Sequence, residues 1–118
     1  MASNQYINLG APAWITGSVA AIYTNPSSTT TYIRAIRYHN TDTVAHKITV
    51  YEVPNNAGAV GTYAANEEMF SYTLQPGELV ADEICGPGLT LTGVNDTIQA
   101  ICDTASKVTV KFIGAINA

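Results

Sequence analysis

Hydrophobic and polar positions alternate with a period of two through much of the chain, the spacing of a strand with one buried and one wet face. Val108, Val110 and Phe112 fall on one face of a segment whose other face carries Thr109 and Lys111. Ile98, Ala100 and Cys102 oppose Gln99 and Ile101, and Ile48 and Val50 oppose Lys47, Thr49 and Tyr51. Alternation of this kind marks antiparallel sheets. One segment departs from it, because Ile33 and Ile36 are separated by the pair Arg34-Ala35. A β-bulge there returns Ile33, Ile36 and Tyr38 to a single face.

Runs rich in Val, Ile, Thr and Tyr, cut by Gly, Pro, Asn and Asp, predict strands over residues 19–24, 31–39, 46–53, 67–74, 78–84, 89–92, 96–102 and 107–116. The first stops at Asn25-Pro26 and the third at Pro54, since Pro removes a ladder donor. Gln75-Pro76-Gly77 puts Pro and Gly at the centre of a tight turn. The loop over 54–66 is rich in Gly and Asn and long enough to be functional or mobile. Helix signals are nearly absent; the best stretch, Ala64 to Met69, has no second apolar turn. The pattern predicts an all-β chain, an antiparallel β-sandwich, jelly-roll-like, of about eight strands. Residues 19–118 form that domain and residues 1–18 an N-terminal arm. Tyr6, Ile7, Leu9, Trp14 and Ile15 are too apolar for a disordered tail. They are the candidate partner contacts of an arm that lies along the domain or docks on another chain.

Composition narrows the function classes. The chain has 118 residues, enough for one domain with one hydrophobic core. Charged residues make up 12% of it, about half the usual share, and the surface that Thr, Asn and Ser then provide loses little on being covered. Five basic residues face nine acidic ones and no basic run exists, so nucleic-acid binding has no electrostatic footprint. No apolar run approaches the ~20 residues of a membrane helix. The opening MASNQYINLG lacks the basic start and apolar stretch of a signal peptide, which points to assembly inside a cell. Cys85 and Cys102 are too few for a disulfide framework and lack metal-site spacing. They read as small apolar residues in or beside the core, with a disulfide as the other reading, disfavoured in a reducing cytoplasm.

Candidate chemistry is sparse. His39, Asp42 and His46 flank one predicted hairpin loop and could ligate a divalent metal if the register brought them together. The other reading makes them turn-flanking residues. Acidic residues gather at Glu67-Glu68 and at Glu78, Asp82 and Glu83; a glycosidase needs two carboxylates across a cleft, whereas Asp82 and Glu83 face opposite sides of one strand. Asp82, Glu83, Asp96 and Asp103 are the residues that could hold calcium. No nucleophile elbow, P-loop or dinucleotide fingerprint is present. Tyr6, Trp14, Tyr23, Tyr32, Tyr51, Tyr63 and Tyr72 could build a sugar-stacking platform or a subunit interface, but lie in different elements and read first as sheet aromatics. The expectation is a non-enzyme without cofactor or metal.

Between Ile22 and Asn117 the chain carries IYTNPSSTTTYIRAIRYHNTDTVAHKITVYEVP, then FSYTLQPGELVADE, then LTGVNDTIQAICDTASKVTVKFIGAI. This order resembles a group of small β-sandwich virion proteins of tailed bacteriophages, over about four-fifths of the chain. Tyr38-His39 departs from the apolar or Cys residues expected before Asn40, and residues 1–18 lie outside the match. The resemblance implies a virion structural protein that binds the major capsid protein or other virion proteins, foremost a capsid decoration (cement) protein. It carries no catalytic residue to transfer. Such a protein is expected in the virion as a homo-oligomer, a trimer by preference, without nucleic acid or membrane as partner. A tail, collar or fibre module is the alternative, and a carbohydrate-binding module the alternative of another class.

Overall fold

A computed structural model of the chain describes residues 7–83 and 89–117, with Asp82 and Glu83 as backbone only. The ten strands are β1 (Ile7–Asn8), β2 (Ala13–Trp14), β3 (Ala20–Thr24), β4 (Thr30–Asn40), β5 (His46–Val53), β6 (Glu68–Leu74), β7 (Leu79–Glu83), β8 (Leu89–Leu91), β9 (Thr97–Cys102) and β10 (Val108–Asn117). The eight predicted strands are all present, each described boundary within one residue, while the expected end of β7 at Ile84 lies outside the described residues. The helix-like stretch shrinks to one 3-10 turn, Ala65–Glu67, before β6 begins.

The strands form two antiparallel sheets. In one, β10 and β4 are central, β1 and β2 share the outer edge of β10, and β7 and β8 share the outer edge of β4. The other runs β3-β9-β5-β6. Since two pairs of short strands each fill one position, the ten strands occupy eight positions. Pairing is concentric: β1 and β2 with β10, β3 with β9, β4 with β7 and β8, β5 with β6. A chain folded as one long hairpin and rolled, its tip at the loop 54–67, gives this order, which is the jelly roll. No described helix is long and apolar enough to cross a membrane.

The arm expected over residues 1–18 is, over its described part, an edge of the sandwich. Ile7 pairs with Gly114 and Trp14 with Thr109. Beyond β2 the chain passes from one sheet to the other: Ile15 N donates to Val108 O at 2.9 Å, and Cys102 N to Thr16 O at 2.9 Å. Ile15 is fully buried in the core. Gly10-Ala11-Pro12 splits the edge into two-residue strands, too short for alternation to register, and the split also blunts an otherwise open sheet edge.

The core lies between the sheets. Ile33, Ile36 and Tyr38 of β4 and Val108, Val110 and Phe112 of β10 face Ile48 and Val50 of β5 and Ile98, Ala100 and Cys102 of β9. The bulge is where the spacing placed it: Ile113 pairs with Ala35 and Gly114 with Ile33, leaving Arg34 as the extra residue. Opposite it, a Cβ on Gly114 would lie 1.9 Å from the carbonyl oxygen of Tyr32, so the bulged backbone approaches β10 where only glycine fits. The crossover from β6 to β7 is the Pro76-Gly77 turn, with Gly77 at φ 71° and Glu78 N bonded to Gln75 O at 3.0 Å.

Candidate functional site

The jelly-roll order gathers loops 15–19, 41–45, 75–78 and 103–107 at one end of the sandwich and loops 25–29, 54–67 and 92–96 at the other. Each end holds a polar cluster.

At the first end His46, the opening residue of β5, points inward and is 5% exposed. Its Nδ1 lies 2.6 Å from Asp103 Oδ1 and its Nε2 2.7 Å from Asp42 Oδ2. Ionised carboxylates only accept, so both ring nitrogens donate and the ring is an imidazolium. The hydrogen bond to Asp42 first, and that to Asp103 next, raise the His46 pKa above 6.5, with burial opposing. The Asp42 carboxyl is lowered, first by His46 and then by the Thr43 N–H. Burial pushes the Asp103 carboxyl up, but the Lys47 N–H and His46 outweigh it and hold it low. Lys107 Nζ stands 4.0 Å from Asp42 Oδ2. Next to the imidazolium, Asn40 is fully buried and donates to the carbonyls of Val44, Leu74 and Gln75, tying loop 41–45 to the end of β6.

This arrangement clamps loops. A general-base histidine keeps one nitrogen for its substrate, whereas both nitrogens of His46 are engaged by carboxylates. His46, Cys102 and Asp103 are the described donors nearest to a metal-ligand set, with ligand atoms within 4.8 Å of one another. A cation there would have to break the His46–Asp103 bond, and burial pushes the Cys102 thiol up and away from the thiolate a metal needs. Of the sequence-derived set, His46 meets Asp42, but His39 points outward from the middle of the other sheet and takes no part. Asp103, read from the sequence only as a calcium candidate, is the partner of His46 that the sequence did not foresee. Its signal is the pairing of β5 with β9, in which Ile48 faces Cys102 and brings residue 103 to Lys47.

At the second end Asn25, fully buried, donates to Thr29 O at 2.8 Å and Gly93 O at 2.9 Å and accepts from Thr31 Oγ1 at 2.6 Å. Asp96 accepts from Asn55 N, Asn55 Nδ2 and Gly93 N. The three loops of this end are thereby stitched together. Beside them Glu52, Glu67, Glu68 and Asp96 line a cleft of about 470 Å³ with Asn66, Met69 and Leu91. Burial, and then the Asp96 charge, raise the Glu52 carboxyl.

The two members of the calcium set with described side chains, Asp96 and Asp103, are not brought together. Asp96 and Asp103 flank the two ends of β9, roughly 20 Å apart at strand rise. The side chains of Asp82 and Glu83, like Tyr6 and Cys85, lie outside the described residues. Glu78 accepts from Gln75 N and Tyr72 Oη, serving the turn. Among the described aromatics, Tyr63 sits on Tyr51 at 47° and Tyr72 on Phe70 at 20°, while Tyr38 is core. Of the candidate contacts, Ile7 and Trp14 are exposed, Leu9 packs against the core and Ile15 is enclosed by it.

No protein-family model matches the chain, and no protein of curated function matches it. A solved chain described as "Bacillus endospore appendages form a novel family of disulfide-linked pili" aligns with 97% of this chain and 84% of its own length, at 17% identity and a TM-score of 0.46. A likeness that distant carries no argument about function.

Proposed function

We propose that the chain is a structural subunit of a phage virion, a decoration protein that binds the outer capsid surface as one of many copies. The observation that carries this reading is the order of strand and turn motifs in three pieces between Ile22 and Asn117, which resembles virion β-sandwich proteins apart from Tyr38-His39. Two features support it. The jelly roll recurs in viral shells, a likeness of fold alone. Asp42, His46, Glu67, Glu78, Asp96 and Asp103, which could have been chemistry, are committed to holding loops and turns, which leaves sheet faces and loop tips for contact with partners.

The major capsid protein is the proposed partner and the virion the proposed location, with a homotrimer as the expected free form. Adding the purified protein to undecorated heads and pelleting them tests this: co-sedimentation is expected, and protein left in the supernatant at every salt concentration overturns it. A tail, collar or fibre position uses the same fold and differs in copy number. Mass mapping of the particle separates the two, hundreds of copies indicating decoration and a few dozen or fewer the tail.

A further inference from the structure

Among its described side chains, the outer face of the β2-β10-β4-β7 sheet carries two positive charges with no ion-pair partner. Its register sets Trp14, Thr109, His39 and Leu79 in one row across four strands, and Lys111, Arg37 and Ala81 in the next. Trp14 is 49% exposed and Leu79 65%, so apolar side chains stand at both ends of the first row. In the second row Arg37 and Lys111 are direct cross-strand partners. Like charges placed opposite each other destabilise a sheet. Neither makes an ion pair with a described residue.

The opposite deficit lies at the loop 54–67 end. Glu52 and Glu68 line the cleft there, beside Glu67 and Asp96, and neither makes a hydrogen bond or ion pair within the described chain. Residues 48–106 contain no Lys or Arg, so no neighbour along the chain can neutralise them.

We propose that the Arg37–Lys111 face docks the acidic cleft end of a second copy of this chain, with Trp14 and Leu79 closing over the contact. Each surface lacks the charge that the other presents, and apolar side chains beside the cations supply area that charge alone does not. The contact joins two different surfaces, so it is heterologous: it closes into a ring if the rotation permits and otherwise grows as an open chain. It names the surfaces that meet in self-association, the expected homotrimer included, and stands apart only from the binding to a capsid.

Sedimentation velocity of the full chain across a wide concentration range tests it, in about 0.01 M and about 1 M salt, where the Debye length falls from about 30 Å to about 3 Å. Concentration-dependent association is expected at low salt and is weakened at high salt. Arg37→Glu with Lys111→Glu should weaken it at least about tenfold, as should Glu52→Lys with Glu68→Lys. The first double variant still has like charges opposed, so its monomer should melt as the parent does; Arg37→Gln with Lys111→Gln is the milder substitute if it does not. Mixing the two charge-reversed proteins should restore association, because each again meets its opposite. A parent chain that stays monomeric at low salt overturns the proposal, as does association that survives either double variant, or a mixture that stays monomeric. Head binding by the parent chain is read separately, so either idea can fail alone.

Discussion

Replacing Gly114 by Ala tests the closest approach in the fold. β10 and β4 form the longest ladder, running from Val108↔Asn40 to Asn117↔Thr30. The new Cβ would sit 1.9 Å from Tyr32 O, about 1.5 Å short of ordinary contact, with Tyr32 C at 2.9 Å and Ile33 Cα at 3.1 Å. All three atoms are backbone, so no side chain can swing aside. Relief requires β4 to move off β10 at the bulge, which disturbs the core positions Ile33 and Ile36 on either side of it. The φ of Gly114 is outside the left-handed region, so the obstacle is space rather than conformation.

Overpacking of this kind costs about 3 kcal/mol, near the top of its usual range. The lower entropy of the unfolded Ala chain returns about 0.4–1 kcal/mol. The net loss of about 2–3 kcal/mol corresponds to a melting temperature lower by roughly 10 °C for a chain of this size. Gly17→Ala is the control: its Cβ would find nothing nearer than Ala105 N at 3.8 Å, and its melting temperature should hold or rise slightly. Thermal melts and urea titrations followed by circular dichroism read both. A Gly114→Ala protein melting within ~2 °C of the parent would show that the bulge does not press on β10.

Stability should be highest between the carboxylate and imidazole ranges: His46 binds its proton more tightly folded than unfolded, so its contribution is complete below 6.5 and lost as pH rises through the raised folded pKa. Asp42 and Asp103 are lowered from 3.8, so theirs is lost as pH falls through their folded values; melts across pH should show both slopes, and His46→Gln should remove the alkaline one. Asn25→Ala should cost about 3 kcal/mol in urea titrations, since it strands the Thr29 and Gly93 carbonyls and leaves Thr31 Oγ1 with Tyr23 Oη alone. Cys102, 1% exposed with its thiol pushed up by burial, should resist alkylation until denaturant is added, as mass mapping of the labelled peptide would show. Arg37→Glu alone should stabilise the dilute monomer by about 0.5 kcal/mol, by turning the pair with Lys111 into an opposite-charge one, while weakening self-association; a melt and a sedimentation run on one sample read both.

What the sequence showed and what it hid divide by range along the chain. Strand positions, the turn at Pro76-Gly77 and the bulge at Arg34 rest on neighbours within a few residues, and alternation displays those directly. Cys102 likewise takes the core place its alternation assigned. β1 and β2 are two residues each and too short to alternate, so Ile15 looked like part of an arm although it is fully buried. The His46 clamp depends on Asp103, 57 residues away, and the positive row on Lys111 facing Arg37 across two strands. Only the sheet register shows such meetings, and the register follows from the roll of the whole chain.

The carboxylates make the strongest case that the polar residues serve the fold. Five of the nine, Asp42, Glu67, Glu78, Asp96 and Asp103, accept a backbone N–H in a turn or at a strand end. A charge-poor chain with loops gathered at both ends needs these bonds, because loops add little to the core and their amides must find partners. Asp82 and Glu83 fall outside the described side chains, which leaves Glu52 and Glu68, and both line the same cleft. Five carboxylates hold turns in place, and the two left without such a bond line the cleft, at an end whose described loops carry no Lys or Arg. Carboxylates spent on folding need no partner outside the chain, whereas Glu52 and Glu68 gain one only if another molecule brings it, and Arg37 and Lys111 of a second copy carry that charge.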